Sequence, residues 1–231
     1  MTEKIAGIIG GMGPEATVDL MQRIIRLTPA LDDADHIRCI VDNNPKVPSR
    51  IKAIIEGHGE DPGPAIADMG RRLEAFGADF LAIACNTAHY YYPRVKDAVN
   101  IPVIHIMEQV TRHILTQYPL EKKIGILGSP AVAMTRLYRD AFSPHGLEDI
   151  WPDSEDQAAL LEVVIKGVKK GDTGDAVRKA YQKIADNLSG KGVRVAVVAC
   201  TELSALDEAL PIDTVDAADV LAREIIAAAG K

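Results

Sequence analysis

The sequence predicts an α/β protein of two pseudo-symmetric lobes, each a parallel sheet flanked by helices. Three observations carry that expectation. Short apolar runs alternate with helical stretches of roughly 10 to 15 residues, as in parallel strands joined by helical crossovers. A strand-and-turn opening at residues 7–12 recurs at 125–130 (125 − 7 = 118). Two cysteines, Cys85 and Cys200, end apolar runs at nearly the same interval (200 − 85 = 115).

Taken in order, residues 5–9 read as a strand, and Gly10-Gly11-Met12-Gly13-Pro14 as the turn into a helix over 15–28. A second strand over 36–41 ends in Asp42-Asn43-Asn44-Pro45. Residues 47–55 show no clear period, and 57–63 form a glycine- and acid-rich loop. An amphipathic helix over 65–76 closes at Gly77, and the run Phe80-Leu81-Ala82-Ile83 leads into Cys85. A helix over 90–99, a short strand over 101–104 and a helix over 108–118 complete the first half. The second half repeats the scheme: a strand and turn over 123–129, a helix to 142, a strand over 146–151, and helices over 155–169 and 174–188. A strand over 193–199 then runs into Cys200-Thr201-Glu202, and a helix over 217–229 ends the chain. Ile101-Pro102-Val103 matches Leu210-Pro211-Ile212 as a third landmark (211 − 102 = 109). Three landmarks in one order point to an internal duplication, with lobes at 1–103 plus 214–231 and at 104–213. Ligands of such sheets bind outside the carboxyl ends of the strands, so the active site is expected in the cleft between the lobes.

Composition narrows the function. The chain has 231 residues, 26% charged and 47% hydrophobic, as in ordinary globular proteins. A net charge of −7 argues against a nucleic-acid binder, which would be basic. No apolar run approaches the ~18 residues of a membrane span, and Met1-Thr2-Glu3-Lys4 does not open a signal peptide. Three cysteines at wide spacing suggest no disulfide framework, and so a reducing, cytoplasmic setting.

The chemistry centres on the cysteines. Both end an apolar strand, follow alanine and precede a polar pair, Asn86-Thr87 or Thr201-Glu202. A cysteine at a strand-to-helix junction lies where main-chain N–H groups favour the thiolate. Facing lobes would set the two thiols on opposite walls of one cleft, which is what a racemase needs. One thiolate removes an α-proton while the opposite thiol protonates the other face, and the reverse reaction exchanges the roles. Which thiol serves which enantiomer is not readable from spacing. Cys39, in mid-strand, has no such partner and reads as structural. His89 and Glu202 are read as tuners of the thiols or as helix caps, and Cys85 with His89 at i, i+4 as at best a weak metal pair.

Gly10-Gly11-Met12-Gly13-Pro14-Glu15-Ala16-Thr17, Cys85-Asn86-Thr87-Ala88-His89 and Cys200-Thr201-Glu202 together resemble the aspartate/glutamate racemase family, most of all its aspartate racemases. The glutamate branch has Asp-Ser-Gly where this chain has Gly10-Gly11-Met12. The resemblance implies a homodimer that racemises an acidic amino acid without pyridoxal phosphate, any other cofactor or a metal. It further implies substrate-binding roles for Arg50, in Pro48-Ser49-Arg50, and for Lys169, in Gly167-Val168-Lys169-Lys170-Gly171. Met12, Asn86, Thr87 and Thr201 match positions that line the substrate carboxylates in that family. One departure stands out: Val132 replaces a usual threonine, which puts aspartate versus glutamate or another amino acid in question.

Three other readings compete. Gly11-Met12-Gly13-Pro14-Glu15-Ala16 fits a dinucleotide-binding G-x-G-x-x-A with Asp42 as its ribose acid, but leaves Arg50 and the second half unexplained. A same-fold isomerase or decarboxylase of another small carboxylate is the nearer alternative, although several such relatives keep one catalytic thiol. A two-lobed binding module without turnover would leave the matched cysteines with no purpose.

Overall fold

Two parallel four-stranded sheets organise the chain, one in each of two units. The computed structural model describes residues 3–204, 206 and 208–231, the side chain of Lys169 excepted. The first unit comprises Met1–Gln109 with Ala218–Lys231, and the second Val110–Ala217.

In the first unit, β1 (Ala6–Gly10), β2 (Cys39–Asn43), β3 (Phe80–Ile83) and β4 (Val103–Ile104) lie in the order β2-β1-β3-β4. In the second, β5 (Lys123–Leu127), β6 (Glu148–Ile150), β7 (Val195–Val198) and β8 (Asp213–Asp216) lie in the order β6-β5-β7-β8. All pairings are parallel. The central strands β1, β3 and β7 are buried at every position, as continuous apolar runs covered on both faces should be.

The duplication is one of register. Ile8 lies opposite Ala82 and Ile126 opposite Val197, so the offsets of 118 and 115 belong to one shared pairing. Gly7 and Gly125 are small for the same reason. A Cβ on Gly7 would come within 2.6 Å of Leu81 Cδ2, and one on Gly125 within 3.0 Å of Ala196 Cβ. The third landmark slips. Ala82 lies opposite Ile104 and Val197 opposite Val215 (215 − 104 = 111), because two extra residues separate Pro211 from its strand. Strands β4 and β8 span the boundaries 103/104 and 213/214 read from the sequence, and each stays whole within its sheet.

Helix α1 (Pro14–Leu27) begins at a proline, which pre-sets its first φ angle, and buries Thr17, Leu20, Arg23 and Ile24. Arg23 sits 2.6 Å from Asp19 and 2.6 Å from Asp219, so a buried guanidinium is neutralised between α1 and the start of the last helix. Helix α2 (Gly63–Ala75) precedes β3, α3 (Tyr92–Ala98) precedes β4, and α4 (Ile106–Gln117) precedes β5. Helices α5 (Pro130–Thr135) and α6 (Leu137–Phe142) lie between β5 and β6. Helices α7 (Ser154–Ala159), α8 (Lys166–Lys169) and α9 (Asp175–Gly190) separate β6 from β7. Helix α10 (Thr201–Ser204) follows β7, and α11 (Ala217–Ala229) follows β8.

Local backbone departs from the sequence expectation in five places. The helix expected to 142 breaks at Arg136, which has φ 58°. Burial of Val132, Thr135, Tyr138 and Phe142 continues across the break, so the periodicity hides it. The helix expected over 155–169 contains a π-helical stretch, Leu160–Ile165, and the aperiodic segment 47–55 carries another, Lys52–Glu56. The helix expected from residue 90 opens with a 3-10 turn, Thr87–Tyr91. The second strand starts at Cys39 rather than residue 36. Among the described residues no helix is long and apolar enough to cross a membrane.

Candidate active site

In each sheet the strand order reverses beside the first strand, so the loops leaving β1 and β3, or β5 and β7, diverge at the carboxyl ends. Both cysteines stand there. Cys85 lies two residues beyond Ile83, the end of β3, and Cys200 two beyond Val198, the end of β7. The main chain enters each in the same way: Ala84 N–H donates to Ile9 O at 2.9 Å, and Ala199 N–H to Leu127 O at 2.8 Å. Both are free thiols, partly buried.

In the first unit the glycine run is folded tightly onto α1. Gly11 has φ +88°, and a Cβ there would lie 2.2 Å from the Asn44 carbonyl carbon, so only glycine fits. The Thr17 hydroxyl accepts the Gly11 N–H at 2.8 Å and donates to Gly13 O at 3.3 Å. A Cβ on Gly10 would meet Thr17 at 2.4 Å. Met12 turns its side chain into the core, against which Cys85 also packs. What Met12 offers the site is therefore main chain, and Arg50 holds it there. Arg50 Nη2 donates to Met12 O at 2.9 Å and Nη1 to Pro48 O at 3.3 Å, while its buried Nε has no partner among the described residues. An anchored guanidinium with a spare donor beside the β1 turn is suited to a carboxylate. Asn86 and Thr87, half-buried, follow Cys85 into the 3-10 turn.

His89 belongs to the scaffold of this loop and not to the thiol. Its Nδ1 donates to Cys85 O at 2.8 Å, and its Nε2 accepts the Ile106 N–H at 3.1 Å. The ring is 1% exposed. Burial, and secondarily His105, hold its pKa down at about 3, so it is neutral with its proton on Nδ1. Both nitrogens being engaged by main chain, Cys85 and His89 form no metal pair. An unfolded chain takes up this proton near pH 6.5, whereas the folded protein resists to about 3. The stabilisation is therefore full above pH 6.5 and lost as pH falls toward 3, with a slope approaching ~1.4 kcal/mol per pH unit for one proton. Urea unfolding at a series of pH values checks this with His89→Gln. The variant's stability deficit at neutral pH should narrow steadily toward pH ~5, and a constant deficit would contradict it.

In the second unit the thiol itself has a partner. Cys200 donates its S–H to Glu202 Oε2 at 2.8 Å, and the Thr201 hydroxyl donates to the same oxygen at 3.3 Å. Behind Cys200 lies Tyr181, a buried phenol whose pKa is pushed up by burial first and then by the negative charge of Asp216. Gln157, which the sequence reading did not single out, donates from Nε2 to Gly128 O at 2.8 Å, just past β5. No local motif marks it, since it arrives from α7. Val132 is buried on α5 with its carbonyl taken by the Thr135 hydroxyl at 2.7 Å. Lys169 ends α8, and its side chain lies outside the described residues.

Thus Met12, Arg50, Cys85, Asn86 and Thr87 belong to the strand ends of the first sheet, and Cys200 and Thr201 to those of the second. Cys39, on β2 opposite Ala6, has its thiol pushed up to about 11 by burial, which disfavours the reactive thiolate.

The profile of the Asp/Glu/hydantoin racemase family matches residues 9–225. Over 226 residues the chain is 27% identical to the broad specificity amino-acid racemase RacX of Bacillus subtilis (strain 168), covering 95% of this chain and 96% of that protein. Among solved structures, the Picrophilus torridus aspartate racemase is 29% identical with a TM-score of 0.82, covering 99% of this chain and 95% of that one. An aspartate racemase homologue from Pyrococcus horikoshii shares the fold at 22% identity, with a TM-score of 0.81 over 100% of both chains. With a family match over nearly its whole length and the fold of solved relatives in both units, this chain belongs to the Asp/Glu/hydantoin racemase family and is an isomerase of the racemase type.

Proposed function

We propose that the protein interconverts L- and D-aspartate, with glutamate as the second candidate, by a two-base mechanism that uses Cys85 and Cys200 and no pyridoxal phosphate or metal. The observation that carries the reading is the equivalence of the two thiols, each two residues past the third strand of its sheet and entered by the same main-chain bond. The likeness to an aspartate racemase over 99% of the chain supports aspartate, and that to a broad-specificity racemase supports tolerance of other amino acids. The working form is a cytoplasmic homodimer, consistent with free thiols that oxidation would disable.

In the reaction, one thiolate takes the α-hydrogen as a proton. An S–H bond forms, the C–H bond breaks, and its electron pair moves into the α-carboxylate. The other thiol then breaks its S–H bond and delivers that proton to the opposite face. Charge accumulates on the α-carboxylate in the transition state, so Arg50 stabilises that state more than the substrate. Lys169 and Thr201 do the same from the second unit, while Asn86, Thr87 and the Met12 main chain hold the carboxylates from the first.

Proton exchange in deuterated water tests the substrate. With aspartate and glutamate supplied as each enantiomer, NMR should show loss of the α-proton signal for aspartate first. If neither acidic amino acid exchanges in the presence of folded protein, the assignment fails.

A further inference from the structure

The two thiols hold equivalent places in unequal surroundings. Beside Cys200 stands a carboxylate, Glu202, which accepts both its S–H and the Thr201 hydroxyl. The position two beyond Cys85 is Thr87, which brings no charge, and His89 touches Cys85 at the carbonyl oxygen while remaining neutral. In the same unit as Cys85, the guanidinium of Arg50 is bonded to the carbonyl of Met12, whose side chain packs on the same core as Cys85.

A carboxylate beside a thiol acts in one direction. It accepts a hydrogen bond that only the thiol can donate, and it repels the charge of the thiolate. Building on the two-base reading, we propose that Glu202 is a positioning residue that keeps the resting proton on Cys200. The free enzyme then rests as Cys85 thiolate and Cys200 thiol, and accepts first the enantiomer whose α-hydrogen is presented to Cys85. Turnover leaves Cys85 with the substrate's proton and Cys200 as the thiolate. The resting form returns when Cys85 gives its S–H proton to water and Cys200 gains one through Glu202, which takes it from water, so the proton count is unchanged.

Tyr181 and Asp216, which lie near Cys200, bring no positive charge to it. Tyr181 on α9 stays a neutral phenol, with Asp216 adding further negative charge behind it. Helix α8, which packs against α10, carries Lys166, held by Glu162 at 2.6 Å, and Lys169.

The test needs no turnover, so its failure is separate from a failure of the racemase reading, which the exchange experiment decides. Iodoacetamide alkylation is followed at each cysteine by peptide mass spectrometry from about pH 5 to about pH 10 in wild type, Glu202→Gln and Glu202→Asp. In wild type Cys85 should react as thiolate at lower pH than Cys200, with Cys39, whose thiol is pushed up by desolvation, slowest. Glu202→Gln should lower the apparent pKa of Cys200 by about one unit, giving roughly tenfold more thiolate at neutral pH. Glu202→Asp should restore much of the wild-type profile. An unchanged Cys85 profile in both variants reports that the fold is intact. A Cys200 profile that is unmoved or raised in Glu202→Gln would overturn the proposal, as would a wild-type Cys200 more reactive than Cys85.

Discussion

Replacing Cys85 by serine should reduce racemisation by a factor of about 10³ or more, and replacing Cys200 should do the same. Positioned acid–base groups contribute roughly 10²–10⁴ each, and a serine hydroxyl does not ionise near neutral pH as a thiol can. Serine is close in size to cysteine, and both positions are only partly buried, so the melting temperature should change little. The single variants are also expected to differ in kind. Cys200→Ser keeps the thiol that deprotonates one enantiomer, so α-proton washout without inversion should persist for that enantiomer alone. Cys85→Ser should show the mirror result. Chiral chromatography measures inversion, and NMR in deuterated water measures washout. Full racemisation by either variant would remove the two-base mechanism.

Arg50→Met should lower kcat by roughly 10²–10³, the loss usual when one preorganised donor to a developing anion is removed. The effect should exceed that on KM, because the charge on the α-carboxylate is largest in the transition state. Some rise in KM is still expected, since the guanidinium also ties Met12 O at 2.9 Å and Pro48 O at 3.3 Å. Arg50→Lys retains charge but not the fork that spans both carbonyls with a donor to spare, so it should recover only part of the activity. Steady-state kinetics with both enantiomers, alongside thermal melts, separate catalysis from folding. A purely structural Arg50 would lower the melting temperature while leaving kcat of the remaining folded enzyme intact.

The repeat was legible because it lies in burial and register, which side-chain type reports directly. Gly7 and Gly125 must be small where β1 meets Leu81 and β5 meets Ala196, and those contacts fix the same pairing in both sheets. The third landmark was less legible, because a proline marks the approach to a strand and not its register. Backbone path was hidden wherever burial ran on unbroken, as through Arg136, where the buried face of α5 continues into α6.

By itself the sequence determined the class of this protein, its duplicated sheets, the equivalence of Cys85 and Cys200, and the glycines of the first turn. These are properties of local pattern and of interval, carried by the chain in any conformation. The tertiary structure decided what each polar side chain does. It turned Met12 inward and brought Arg50 to its carbonyl from 38 positions away. It committed His89 to two main-chain groups, one of them 17 positions distant, and gave Gln157 a carbonyl 29 positions away. Even Glu202, two positions from Cys200, met its partner only in space, because a carboxylate there can cap a helix or accept the thiol's hydrogen with the same spacing. Hydrogen bonds depend on distances near 3 Å and on direction, and these exist only after the strands have set where each loop begins.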